Sequence, residues 1–354
     1  MMNSDSYGFL SELVNSHSPS GTEKESALVW KKIVGKTCED VRVDVHGNVI
    51  GVMHKKGSPR VMLAAHIDEI GYMVKFIDKE GYLYFSTIGG VDPHLIPGQR
   101  ILIKGRKGDV PGIIGRKPIH LQESDEAKKV AAIKDLWIDI GAKNKKEAEK
   151  AVSVGDPAIP AVGFGELMGK RIVGRGFDNR AGAFVVAESL RLMDRKKLKA
   201  SVHAVATVQE ELGLRGARTS TYGISPDIGI AVDVAFATDF PGADKRTVGD
   251  IKIGAGPVIT RGPNINSKLF DLMVKTAENA KIPYQVQAAS RGTGTDANVM
   301  QLTRSGVVTG LIGIPNRYMH TQVELVDTSD LDNAARLVAR VVEKLDGRTD
   351  FVPY

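Results

Sequence analysis

The apolar positions near the N-terminus fall into two helical stripes. In YGFLSELVNSHS, Phe9, Leu10, Leu13 and Val14 recur at a period of about 3.6 residues. In SPSGTEKESALVWKKIVG the turn SGTE, with Glu23 and Glu25 at a helix start, opens a second stripe of Ala27, Leu28, Trp30, Ile33 and Val34. The period then drops to two. VRVDVHGNVIGVMHKKG alternates around HGN, which predicts a hairpin. In RVMLAAHIDEIG, Val61 to Ala65 run without a polar residue, the pattern of a strand buried on both faces.

Between residues 72 and 164 the texture changes. GYMVKFIDKEGYLYFSTIGG, QRILIKGRKGDVPGIIG and DLWIDIGA are short alternating segments parted by glycines, which predicts a small β-barrel or sandwich inserted into the chain. QESDEAKKVAAIKD (residues 122–135) is polar and charged and reads as a mobile loop. From residue 165 helical and strand patterns alternate: helix NRAGAFVVAESLRLMDRKKL, strands SVHAVATVQ and DIGIAVDVAF, helix NSKLFDLMVKTAENAK, strands PYQVQAA and GVVTGLIGI, and helix TSDLDNAARLVARVVEKL. Alternation of this kind predicts an α/β protein with a mixed, mostly parallel sheet covered by helices. The expected division is 1–71 and 165–354 for the two parts of that layer, and 72–164 for the insert.

Composition narrows the function classes. Of 354 residues, 42% are hydrophobic and 25% charged, with 38 glycines, an ordinary globular balance rich in turns. The formal net charge of +6 is scattered. KNKK (143–146) and RKKLK (195–199) lack interleaved aromatics and read as solvated helix faces, so no nucleic-acid partner is expected. One cysteine, Cys38, allows neither an internal disulfide nor a Cys/His zinc knuckle. MMNSDSYGFLSELV has no basic segment followed by an apolar one, and no run approaches the ~18 apolar residues of a membrane span, so a cytoplasmic protein is expected.

The chemistry gathers where buried strands end. VMLAA ends at His66-Ile67-Asp68, HAVATV at Glu210-Glu211, GIAV at Asp233 and TGLIGIPNRYM at His320; Asp178 sits in GRGFDNRAG just before a helix. Each alone has a bland reading: Asp178 as a helix N-cap, Asp233 as a loop cap, His320 as a surface histidine, His66 as a core one. Together they differ, because open α/β sheets bind ligands beyond the carboxyl ends of their strands. Five segments then deliver two imidazoles and several carboxylates to one edge. His17, His46, His54 and His203 have no such context and read as structural.

Imidazole with carboxylate suits zinc, cobalt or a similar divalent ion. One carboxylate bridging two ions, with one His and one further carboxylate on each, makes a two-metal site. Asp68, two residues past His66, is suited to accept the second ring N–H of His66. The adjacent Glu210 and Glu211 then divide the work: Glu211 holds metal, while Glu210 stays free to take the proton from a metal-bound water. Glycoside hydrolysis fits poorly, since it needs carboxylates on either side of a sugar at ~5–9.5 Å.

The segments AAHIDEIGYMV, GRGFDNRAGAF, ATVQEELGLRGA, AVDVAFATDFPG and RYMHTQVE, with IGGVDPHLIPGQR and GTGTDAN, resemble the M42 metallo-aminopeptidases, the tetrahedral aminopeptidases. The resemblance spans essentially the whole chain. It implies a zinc-peptidase/phosphorylase-like sheet, a PDZ-like dimerisation domain at 72–164, and a hollow dodecamer that trims short unfolded peptides from their N-termini. By matching motif it implies one metal on His66 and Asp233, the other on Glu211 and His320, Asp178 bridging with a cis peptide after it, Asp68 orienting His66, and Glu210 as general base. The alternatives are a two-metal deacylase of blocked amino acids or peptides, and an inactive peptide-binding scaffold. Two further residues are candidates for substrate contact: Arg291 in SRGTGTDAN, whose charge would favour an acidic first residue, and His120 in RKPIHLQ, which would reach a neighbouring subunit's site.

Overall fold

The computed structural model describes residues 2–123 and 128–354. Strands are β1 (Asp40–Val43), β2 (Val49–Met53), β3 (Arg60–His66), β4 (Gly71–Ile77), β5 (Leu83–Ile88), β6 (Arg100–Gly105), β7 (Gly108–Gly115), β8 (Trp137–Asp139) and β9 (Pro157–Pro160). They continue as β10 (Gly165–Glu166), β11 (Arg171–Gly174), β12 (Ser201–Thr207), β13 (Ile228–Phe236), β14 (Val258–Arg261), β15 (Gln285–Ala288), β16 (Val308–Asn316) and β17 (Glu324–Asp327).

Eight strands form one sheet in the order β1-β2-β12-β3-β13-β16-β14-β15. The centre, β12-β3-β13-β16, is parallel, and its strands are buried along nearly their whole length. That burial on both faces explains the unbroken apolar runs. β1, β2 and β12 pair antiparallel, and the predicted hairpin turns where the Asp44 carboxylate accepts the amides of His46, Gly47 and Asn48. The helix Phe177–Leu192 is buried along most of its length against the sheet, and Trp30 of the helix Lys24–Val34 donates its indole N–H to the Ala183 carbonyl.

The insert is a closed six-stranded barrel, β4-β5-β8-β7-β6-β9, with its own core of Tyr72, Leu83, Ile101, Ile103, Ile114 and Ile138. Of the expected loop at 122–135, Ser124–Ala127 lie outside the described residues, and Ile133–Asp135 form one turn of 3-10 helix. A small sheet, β10-β11-β17, flanks the main one and brings Glu324 opposite Gly174.

Candidate metal centre

Strand register sets the first two donors side by side. β12 pairs Thr207 with His66, and β13 pairs Ala231 with Ala64, so two residues further on Asp233 stands level with His66. Past Thr207 the chain leaves strand geometry: Gln209 has φ +52°, and the turn carries Glu210 and Glu211 to the same edge. His320 sits between β16 and β17, also with φ +61°. Asp178 arrives from the start of the helix Phe177–Leu192, where its own backbone and that of Asn179 are non-helical and the peptide between them is cis. The capping bond there is made by Asn179, whose Oδ1 accepts the Gly182 N–H at 2.9 Å. The Asp178 carboxylate, an N-cap candidate by sequence, therefore takes no part in capping.

Its two oxygens face two imidazoles. His66 Nε2 lies 3.1 Å from Asp178 Oδ1, and 3.8 Å from both Glu210 Oε2 and Asp233 Oδ1. His320 Nε2 lies 3.2 Å from Asp178 Oδ2 and 3.4 Å from Glu211 Oε1. Each of three sets offers donor atoms mutually within 4.8 Å: His66, Asp178 and Asp233; His66, Glu210 and Glu211; Asp178, Glu211 and His320. The His66 side chain is 1% exposed and that of His320 38%, so the cluster opens to solvent on the His320 side.

Electrostatics match a cation site. Burial pushes Glu210 up to about 10, with His66 opposing and Asp233, Asp296 and Glu211 adding to the rise. Burial and then Asp178 push Glu211 up to about 8, and burial raises Asp233 as well. Burial also disfavours charge on Asp178, but hydrogen bonds from His320 and His66 outweigh it and hold that carboxyl low. The hydrogen bond to Asp178 is the main cause that lifts His320 to about 9. Among the described residues none of the four acids pairs with lysine or arginine. Four buried carboxylates short of positive charge, with two imidazoles aimed among them, fit two divalent ions of the zinc or cobalt kind.

Around the donors is a set of groups that grip backbone. Asp68 is fully buried; its Oδ1 and Oδ2 accept the amides of Glu210 (3.1 Å) and Glu211 (3.2 Å), and Oδ2 also accepts the Ser20 hydroxyl at 2.5 Å. His66 Nδ1 is nearer the Asp68 backbone carbonyl (3.2 Å) than its carboxylate (3.5 Å). Glu23, which by sequence reads as a helix-start acid, instead accepts the amides of Gly21 and Gln209. Glu69 binds Arg175 and Arg180, which flank Asp178, at 2.6 Å each. The barrel takes part too: the Gly90 carbonyl, on the chain leaving β5, lies 2.9 Å from His320 Nδ1 and fixes its ring. Sequence patterning finds none of the Glu23–Gln209, Glu69–Arg175, Glu69–Arg180 and Gly90–His320 contacts, because each is a bond to a distant segment with no periodic trace.

His120 is exposed in the one-turn helix Ile119–Leu121, and Arg291 is exposed on the loop after β15. Neither enters the cluster among the described residues, nor do His17, His46, His54 and His203. A cavity of about 790 Å³ lined by Asp227, Ile228 and Val308 lies at the amino ends of β13 and β16, the opposite edge of the sheet.

Residues 47–337 match the sequence model of the M42 glutamyl aminopeptidases. A lysyl aminopeptidase of Pyrococcus furiosus is 41% identical over 326 residues, 91% of either chain. The crystal structure of a TET aminopeptidase from a marine-sediment Thaumarchaeota archaeon superposes with a TM-score of 0.92 at 37% identity, covering 97% of both chains. The TET1 peptidase of Pyrococcus horikoshii, which can assemble into a tetrahedron or a large octahedral shell, gives 0.86 at 30% identity over 96% of this chain and 100% of that one. With this fold and this donor cluster, the chain belongs to the M42 peptidase family.

Proposed function

We propose that this two-metal aminopeptidase trims N-terminal residues from short unfolded peptides, with His66 and Asp233 holding one ion, His320 and Glu211 the other, Asp178 spanning both, and Glu210 acting as general base. The observation that carries the assignment is Asp178, whose two oxygens lie 3.1 and 3.2 Å from the two imidazoles. When bound, two such ions supply Lewis acidity to a scissile carbonyl and lower the pKa of water. The chain's own residues do the rest. Glu210, in one donor set with His66 and Glu211 but outside the two sets that contain Asp178, takes a proton from the attacking water and delivers it to the departing amine. Asp68 fixes the Glu210–Glu211 turn through its two amide contacts and orients His66. Substrate enters from the His320 side, where the cluster is exposed.

The reading extends to assembly and setting. Residues 72–164 form the dimerisation domain, and six dimers make a dodecamer, in line with the tetrahedral assembly of the Pyrococcus horikoshii relative. Exposed His120 on that domain then reaches a neighbour's site. A cytoplasmic setting accords with a single cysteine, and no helix among the described residues is long and apolar enough to cross a membrane. Arg291 is the candidate for recognising an acidic first residue. The family model's name is glutamyl and that of the Pyrococcus furiosus relative lysyl, so a substrate panel decides between the two.

The test is hydrolysis of aminoacyl-p-nitroanilides by wild type and Glu210→Gln, each stripped by chelator and reloaded with zinc or cobalt. We expect metal-dependent release, with kcat about 10³-fold lower in Glu210→Gln and KM within a few-fold. Activity that survives the substitution overturns the base assignment. Cleavage of an N-acetylated peptide as fast as its free-amine parent points to a deacylase instead.

A further inference from the structure

Glu324 closes the motif RYMHTQVE and belongs to none of the three donor sets. It is 2% exposed, at the first position of β17, where register with β11 sets it opposite Gly174. Its carboxylate is spent on backbone. Oε2 accepts the amide N–H of Asp178 at 2.9 Å, and Oε1 accepts the amide N–H of His320 at 3.0 Å. One side chain thus ties together the two segments that carry Asp178 and His320, which lie 142 positions apart in sequence.

Both segments need holding. His320 and Tyr318 each have φ +61°, a region that non-glycine residues rarely occupy without surrounding constraint. Within the turn, Thr321 donates to the Tyr318 carbonyl at 2.7 Å and accepts the Val323 amide at 3.1 Å, but neither bond reaches His320. The Glu324 bond is made by the His320 amide itself. At the other end, Asp178 and Asn179 are non-helical, so the Asp178 amide has no place in the helix ladder.

We infer that Glu324 is a positioning residue that sets the distance between His320 and Asp178 Oδ2, and thereby the affinity of the His320–Glu211 metal position in particular. The inference rests on the two-metal reading above. Its selectivity follows from which donors Glu324 touches. The position formed by His66 and Asp233 takes Asp178 Oδ1 but is otherwise built on β3 and β13, whose register Glu324 does not contact. Glutamine cannot replace glutamate here, because it has one accepting oxygen, and its NH₂ would face a backbone N–H. Aspartate keeps both oxygens but is one methylene shorter, so its carboxylate falls short of the two amides.

The test is cobalt(II) titration of stripped protein, read by visible absorption and by calorimetry, on wild type, Glu324→Gln, Glu324→Asp and His320→Ala. Wild type should take up two ions per chain. Glu324→Gln should keep one near its wild-type affinity and bind the other about 10- to 100-fold more weakly, the range for losing a group that orients a ligand. Its spectrum should approach that of His320→Ala, with Glu324→Asp between. If Glu324→Gln does not fold, Glu324→Asp carries the same readout. Two ions bound within two-fold of wild type overturn the inference, as does equal weakening of both. A wild type that binds fewer than two ions overturns the two-metal reading itself.

Discussion

The sheet edge and the inserted barrel bury different chemistry. In the barrel, Leu83, Ile101, Ile103, Ile114 and Ile138 are all at most 2% exposed and pack together in one apolar cluster. At the sheet edge the comparably buried residues include Asp68, Glu69, Arg180, Asn179 and His66. An apolar core gains from every methylene it hides and is indifferent to direction. A buried carboxylate costs free energy unless each oxygen finds a donor. The edge therefore depends on a few directed bonds, and the barrel on summed area. The barrel is nonetheless coupled to the chemistry, because Gly90 fixes the His320 ring and a Cβ built there would stand 3.2 Å from His320 Nδ1.

The sharpest way to break the comparison is to remove one charge from the edge. Arg180 is fully buried and shares Glu69 with Arg175, while also donating to the Val14 carbonyl at 3.0 Å. Arg180→Met fills similar space but strips Glu69 of one partner. Leaving a buried charge short of its partner costs about 4 kcal/mol. Urea unfolding should show that loss at an unchanged m-value, together with weakened cobalt uptake, since Arg175 and Arg180 bracket Asp178. A loss under 1 kcal/mol would mean that Arg175 alone satisfies Glu69.

These two regions were not equally legible in the sequence. The barrel's alternation and the sheet's unbroken runs are periodic signals, and both follow directly from which faces are buried. His66, Asp178, Glu210, Glu211, Asp233 and His320 were legible as a group because strand ends of a parallel sheet share one edge. Glu69, Arg175, Arg180, Glu324 and Glu23 were not. Glu69 reads as a polar residue after a strand, yet it is the centre of a buried network. Which amide a carboxylate meets depends on how distant segments pack, and no spacing along the chain encodes it. Arg291 and His120 are the converse: their motifs single them out, but both side chains face solvent in the isolated chain.

A smaller effect is expected in the barrel. Ile103 is fully buried on β6, and Ile103→Ala should cost about 3 kcal/mol through lost transfer and a residual cavity. Unlike Arg180→Met, it should leave kcat per folded molecule and cobalt affinity near wild type. Hydrogen exchange should rise across β4 to β9 and stay flat across β3, β12 and β13. If exchange rises equally in both regions, barrel and sheet unfold as one unit and the contrast drawn here fails.

The smallest expected effect concerns a neutral imidazole on β12, away from the donors. Burial, with Arg60 and Arg42 adding repulsion, lowers His203 to about 4 from an ordinary 6.5. A lowered histidine is protonated more readily when unfolded, so the folded state gains stability above pH 6.5 and loses it as pH falls towards 4. Because His203 is not fully buried, solvent screening reduces the effect to about 1–2 kcal/mol. His203→Gln removes that dependence without touching the metal donors. The stability difference between wild type and His203→Gln, measured by urea unfolding from pH 7.5 to 4.5, should move against wild type by that amount as pH falls. Titration of any other group occurs in both proteins and cancels in the difference. A difference that stays constant with pH would mean that His203 takes up its proton equally well in the fold. The sheet would then tolerate a cation on β12, and the intolerance of unpaired charge would belong to the catalytic edge alone.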